Sequence, residues 1–221
     1  MKQTTIYYVR HGQTVFNLQR RIQGKCDSPL TEKGRNDAVR AESVLRVIPF
    51  DRAYCSSSER CIDTAAILLR RQNISARPMK ELKEFDYGSF DGCLMEPIAE
   101  ELERRKREES FWEIGGDSRE SIGRRIRLVF NRIADSSLWD DRVLVVSHGS
   151  FGMHTLNELF GLDMQAYSRI RKAQHPDQFA FPNCGIMKMR RREGVWELLE
   201  LPCEPEEFTD RTEAVTDYPR V

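Results

Sequence analysis

Short β-branched or aromatic runs alternate along the chain with longer stretches of helical spacing, the pattern of a sheet covered by helices. Residues 6–9, IYYV, form an apolar run too short for a helix, and it stops at Arg10-His11-Gly12. Residues 142–149, RVLVVSHG, repeat that construction, and the apolar segment 151–160 behind them predicts a helix packed on the sheet. Thr31 is placed to cap a helix with Glu32 in its first turn and Ala38, Ala41, Val44, Leu45 and Ile48 at helical spacing, closed by Pro49. Residues 52–56 predict a short strand, and Ser56-Ser57-Ser58 a cap for a helix with Ile62, Ala65, Ala66 and Leu69 on its apolar face.

Further along, residues 76–84 predict a strand with Glu84 at its end, followed by an ordered loop, 84–92, punctuated by Gly88 and Gly92. Helices are predicted over 97–109 and 118–133, flanking Phe111 and Trp112, so that 86–135 reads as an insertion roofing a site. Residues 163–177 are polar and read as loop, and 185–191 with 195–201 read as a hairpin turning at Glu193-Gly194. One domain is expected over 1–203, and the acidic tail, 204–221, has no periodicity and is expected to pack loosely.

The two strands that end in His-Gly carry the candidate chemistry. As parallel neighbours about 4.8 Å apart, they bring His11 and His148 to one volume at the carboxyl end of the sheet, where ligands bind in open α/β folds. A lone His-Gly after a strand usually marks a turn, but two of only four histidines occupy equivalent strand ends. His154 and His175 lack that setting and read as structural or solvated. Arg60 falls in the first turn of its helix, where a cation opposes the macrodipole by a few tenths to about 1 kcal/mol. An anion held between Arg60 and the free N–H groups of that turn accounts for it; an exposed, indifferent arginine is the alternative.

Composition narrows the function. With 35 basic and 35 acidic residues the net charge is zero, which argues against nucleic acid as a partner. The six cysteines form no C-x-x-C pair, so no metal site is expected. No leader-like segment and no membrane-length apolar run stand in the chain, so a cytoplasmic, reducing setting with free thiols is expected. Arg10, Arg60, His11 and His148 together suit a phosphate dianion, because guanidinium forks bind phosphoryl oxygens and do not lose their charge. A neutral histidine nitrogen aimed at phosphorus can accept the phosphoryl group, and Glu84, with its pKa raised by burial against Phe85 and Tyr87, can protonate the leaving oxygen.

These residues fall into a pattern. Arg10-His11-Gly12-Gln13-Thr14-x-x-Asn17 resembles the R-H-G-[EQ]-[ST]-x-x-N motif of the histidine phosphatase superfamily, in the branch that holds phosphoglycerate mutases and their phosphatase relatives. The resemblance continues through Gln23-Gly24 and Asp27-Ser28-Pro29-Leu30-Thr31, through 55–65, through 82–92 and 116–125, to the V-x-H-G close at 145–149. It implies an α/β fold in three layers, with a central mixed, mostly parallel sheet flanked by helices. It also implies His11 as the residue that becomes phosphohistidine, Glu84 as proton donor and acceptor, and Arg10, Arg60 and His148 as the phosphate clamp. Asn17, Gln23, Gly24 and the Gly149 backbone are implied as further phosphate or substrate contacts, with no metal or organic cofactor. The sequence departs from the motif at Cys55, Ser57, Ser58 and Cys61, where Ser, Pro, Leu and Ala are usual.

Mutases of this family resemble one another in a longer insertion between the acid and the second histidine, which keeps water from the phosphohistidine. Only two helices are predicted in that interval here, which favours hydrolysis of a small-molecule phosphomonoester over phosphoglycerate mutase-type transfer. A non-catalytic phosphometabolite-binding protein is the third reading, and it has no use for Glu84.

Overall fold

The computed structural model describes residues 2–176 and 179–221. Strands β1 (Gln3–Arg10), β2 (Arg52–Ser56), β3 (Arg77–Met79), β4 (Asp140–Ser147), β5 (Ile186–Arg192) and β6 (Val195–Cys203) form one sheet in the order β3-β2-β4-β1-β5-β6. β1 to β4 are parallel, and β5 is antiparallel to both β1 and β6, so the sheet is mixed and mostly parallel. The helices are α1 (Val15–Leu18), α2 (Glu32–Leu45), α3 (Glu59–Leu69), α4 (Ala99–Glu108), α5 (Arg119–Asp135), α6 (Gly149–Phe160) and α7 (Met164–Gln174).

The continuous apolar runs of β1 and β4 are explained by burial of both faces. Ile6, Tyr8, Val143 and Val145 pack against Ile126 and Phe130 of α5 and Phe151 and Leu156 of α6. Tyr7, Val9, Leu144 and Val146 face the other way, onto Ala38, Ala41 and Leu45 of α2 and Ala65 and Leu68 of α3. The chain leaves β1 toward the α2 layer and leaves β4 toward the α6 layer. A crevice therefore opens between the ends of these adjacent parallel strands, where the topology switches direction.

Two glycines hold the first loop at that crevice. A Cβ on Gly34, in the first turn of α2, would stand 2.1 Å from the Gln13 carbonyl oxygen, and one on Gly12 would stand 2.5 Å from the Gly34 carbonyl oxygen. Backbone therefore lies on backbone, and Thr31 caps α2 through a bond from the Gly34 N–H while its own N–H reaches Gln13 O.

Several expectations need correction. The strand predicted over 76–84 is only Arg77–Met79 at the sheet edge, where Pro78 lacks a donor, and the chain then enters a 3-10 turn, Lys80–Leu82. Residues 163–177, expected as loop, contain α7, capped by the Asp163 carboxylate on Gln165 and Ala166 N–H; Tyr167 is its one buried anchor, too little apolar periodicity to announce a helix. Asp177 lies outside the described residues. The tail expected to be loose is tied down: Val215 N–H donates to Leu198 O, Asp163 N–H to Pro219 O and Val221 N–H to Gly161 O, while Phe208 and Tyr218 pack on the core. The hairpin turns at Glu193-Gly194 as expected, both with positive φ (52° and 84°), the signature of a type I′ turn. No helix among the described residues is long and apolar enough to cross a membrane.

Gly34→Ala should cost about 1–3 kcal/mol, the scale of overpacking a tight contact. Urea unfolding measures it, and a loss below 0.5 kcal/mol, within the range of neutral surface changes, would show that the α2 contact does not fix the loop.

Candidate active site

Pairing of β1 with β4 sets Arg10 opposite Ser147, so the next residues, His11 and His148, leave the sheet side by side. Their rings lie edge to face, 5.4 Å apart at 68°. His11 Nδ1 stands 2.8 Å from its neighbour's carbonyl, Gly12 O. A carbonyl only accepts, so the proton sits on Nδ1 and Nε2 keeps its lone pair. His148 Nδ1 faces Arg60 Nη2 at 2.9 Å, and an arginine only donates, so the His148 proton is on Nε2 and is given to Ser56 Oγ at 2.8 Å. Burial, followed by the charge of Arg60, holds both imidazoles well below the ordinary histidine pKa, so both are neutral near pH 7.

Arg60 is fully buried. Its Nη1 donates to Asp27 Oδ1 and Cys26 O, each at 2.8 Å, and its Nη2 donates to Gly24 O at 2.9 Å. The other oxygen of Asp27, Oδ2, accepts the Glu59 N–H at the start of α3, 2.5 Å away. The serine run expected to cap α3 does not: Ser58 occupies the cap position without a side-chain bond, and the Asp27 carboxylate does the capping. The anion that justifies a cation at this helix N-terminus is thus, in part, the protein's own.

Arg10 is buried at the end of β1, against the start of α6. It donates through Nη1 to Phe181 O at 2.5 Å, its guanidinium lies 4.6 Å from the Phe179 ring centroid, and a Cβ on Gly149 would stand only 3.0 Å from its Nε. Burial lowers its pKa to about 10, which leaves it charged at neutrality. Arg10 Nε and Arg60 Nε are both buried with no hydrogen-bond partner among the described residues. Two cationic N–H groups taken out of water and left unbonded are costly unless an anion completes them.

Glu84 was expected at a strand end; it lies instead two residues past the 3-10 turn that follows β3. Its position is set from elsewhere, by the start of α6. Oε1 accepts the N–H groups of Phe85 (2.8 Å) and Phe151 (2.6 Å), and Oε2 accepts that of Ser150 (3.0 Å). His148 is the cap residue of α6 but makes no side-chain cap bond, so Glu84 caps the helix that begins at the second histidine. Burial raises the Glu84 pKa, and it outweighs the backbone N–H groups and Arg60, which lower it. In the segment that follows, Phe85, Tyr87 and Phe111 pack edge to face, and His154 stacks on Phe85, consistent with its structural reading.

The remaining expected contacts are turned inward. Asn17 Oδ1 accepts from Thr14 N–H (3.2 Å) and from Asn183 Nδ2 (3.3 Å), while Gln23 bonds Thr14 Oγ1 (2.7 Å) and Ser28 Oγ (3.0 Å). Both side chains brace the loop that carries Gly24 to Arg60. Ser56, Asp27, Asn183 and Ser150 belong to the same network. Ser56 and Asp27 stand inside recognisable motifs, but no spacing rule ties Ser150 or Asn183 to the site before the fold is known. Cys61 Sγ lies 3.6 Å from His148 Nε2, yet burial pushes its thiol well above the ordinary range, which makes it unreactive.

Asp27→Ala should lower stability by about 2 kcal/mol, the scale of losing a helix cap together with a largely buried ion pair. Asp27→Asn keeps a cap acceptor and should lose less. Equal stability of the alanine variant and wild type in urea would remove Asp27 as the anchor of Arg60.

Comparison with known proteins places the chain in a family. Probable phosphoglycerate mutases of Salmonella paratyphi A and Citrobacter koseri are 28% and 27% identical to this chain over 196 residues, covering 86% of each protein. Among solved structures, a mycobacterial glucosyl-3-phosphoglycerate phosphatase superposes with a TM-score of 0.73 at 26% identity, over 90% of this chain and 99% of the other. The phosphoglycerate mutase of Bacillus anthracis superposes with a TM-score of 0.76 at 24% identity, over 90% and 93%, a likeness of fold. A family model described as histidine phosphatase superfamily (branch 1) matches residues 6–203, and with that match over most of its length the chain belongs to this superfamily.

Proposed function

We propose that the protein is a phosphomonoester hydrolase that works through a phosphohistidine on His11. The observation that carries this reading is the pair of buried, unpartnered guanidinium N–H groups of Arg10 and Arg60 beside a neutral histidine whose Nε2 lone pair is free. A phosphoryl group held by the two arginines presents phosphorus to that nitrogen. In the first step Nε2 forms the N–P bond, the ester P–O bond breaks, and the Glu84 proton passes to the leaving oxygen. In the second, water attacks phosphorus while Glu84 takes its proton, the N–P bond breaks, and the lone pair returns to Nε2. Inorganic phosphate and an alcohol result. His148 stands against His11 and pins Arg60 through Nδ1. The only reactants needed are substrate and water.

Mutase-type transfer is the second reading, favoured by the names of the curated relatives at 27–28% identity. Against it stands the modest interval between Glu84 and β4, where α4, α5 and short 3-10 turns are the regular elements. Incubation with 3-phosphoglycerate separates the two: hydrolysis releases inorganic phosphate and glycerate, whereas transfer yields 2-phosphoglycerate.

Purified protein should hydrolyse p-nitrophenyl phosphate, and His11→Ala should lower kcat by about four orders of magnitude or more, as loss of a nucleophile does. Wild type as inert as the variant on every phosphomonoester tested would favour a binding protein.

Glu84→Gln should cost about 100-fold to 10,000-fold on an alkyl phosphate, whose alkoxide must be protonated, and much less on the aryl ester, whose leaving oxygen needs little help. Equal losses on both would deny Glu84 the role of acid.

The pH profile follows from the same groups. His11 must be neutral, so kcat/KM rises as pH climbs through its lowered pKa, below about 6.5. Glu84 must be protonated, so activity falls as pH climbs through its raised pKa. A bell-shaped profile whose alkaline limb vanishes in Glu84→Gln is expected. An alkaline limb unchanged in that variant would assign it to another group.

A further inference from the structure

A second concavity, of about 450 Å³, lies beside the edge strand β3 and shares no lining residue with the active site. Its size falls within the range of small-molecule sites, about 300–1,000 Å³. Its lining includes Tyr54, Pro78, Met79 and Ile133. Its charged lining is mostly basic: Arg52, Arg77, Lys80 and Arg132 line it, and among the described residues Glu81 is the one lining acid. On a chain of zero net charge this is a local excess of cations.

The four cations are not equivalent. Arg52 is consumed by the wall, bonding Asp141, Tyr54 Oη and Ser136 Oγ, and Arg132 is paired with Glu81 at 2.9 Å. Arg77 and Lys80 have no acidic or hydrogen-bonding partner among the described side chains, and both are exposed. They stand three residues apart, on either side of Met79. The C-terminal end of α5, whose dipole would repel an anion, also borders the cavity; there Arg52 and Ser136 Oγ donate to Ile133 O and blunt that field.

We propose that this cavity is a second binding site, for a small organic dianion whose flat or aliphatic body rests on Tyr54, Met79 and Ile133 while its charges meet Arg77 and Lys80. The segment that lines it, and the residue that follows, are bonded to the catalytic segments. Ser57 N–H donates to Met79 O at 3.3 Å, three residues before Arg60, and Ser147 Oγ donates to Leu82 O at 2.8 Å, one residue before His148. An occupant therefore holds the stretch of chain that leads into Glu84.

The site is independent of the reading given to the active site, and so is its test. Calorimetric titration with 1,5-naphthalenedisulfonate, a dianion with a flat apolar body that no phosphatase can hydrolyse, should give one-to-one binding to wild type. His11→Ala should bind it equally. The Arg77→Gln/Lys80→Gln double variant alters only exposed side chains, so it folds, and it should bind at least about tenfold more weakly. No binding to wild type, undiminished binding to the double variant, or binding lost in His11→Ala would each overturn the proposal.

Discussion

Two guanidinium groups withdrawn from water at the end of a parallel sheet are the constraint around which this structure is built. Burying a charge costs several kcal/mol unless it is paired and hydrogen-bonded. The chain meets that cost with backbone carbonyls from residues 24, 26 and 181 and with the Asp27 carboxylate. What it leaves unmet is one Nε on each arginine. The glycine contacts at 12 and 34, the inward-turned Asn17 and Gln23, and the Asp27 cap on α3 all serve to keep those two groups where they are.

The acid is governed by a balance of a different kind. Three backbone N–H groups and Arg60 pull the Glu84 carboxyl toward ionisation, and its burial pushes it back. Because the same carboxyl caps α6, its protonation state and the geometry of the segment after His148 are coupled. A proton donor fixed by a helix terminus cannot drift as it gives up and recovers its proton, which suits a group used in both halves of a two-step displacement.

The fold was legible because its two faces write themselves into the strands. β1 and β4 read as uninterrupted apolar runs, and the helices facing them keep their spacing. Where periodicity fails the reading fails with it: α7 buries one tyrosine, the tail docks through backbone bonds and two aromatics, and β3 is cut to three residues by Pro78. At the site, His11 and His148 were found from strand ends, and Arg60 from a charge that opposed its helix dipole. That dipole argument asked for an anion and did not say where it would come from; Asp27, 33 residues away in sequence, stands in a motif of its own that does not tie it to Arg60. For Glu84 the strand-end argument fails, since its place is dictated by the start of α6, and only the motif at 82–92 points to it.

The central claim is that His11 Nε2 takes the phosphoryl group, and trapping the intermediate tests it most directly. Wild-type protein quenched during turnover of a phosphorus-32-labelled monoester should carry label that is stable in alkali, labile in acid and confined to the peptide containing His11. Label that survives acid, label on any other residue, or turnover with no covalent label at any quench time would contradict the account.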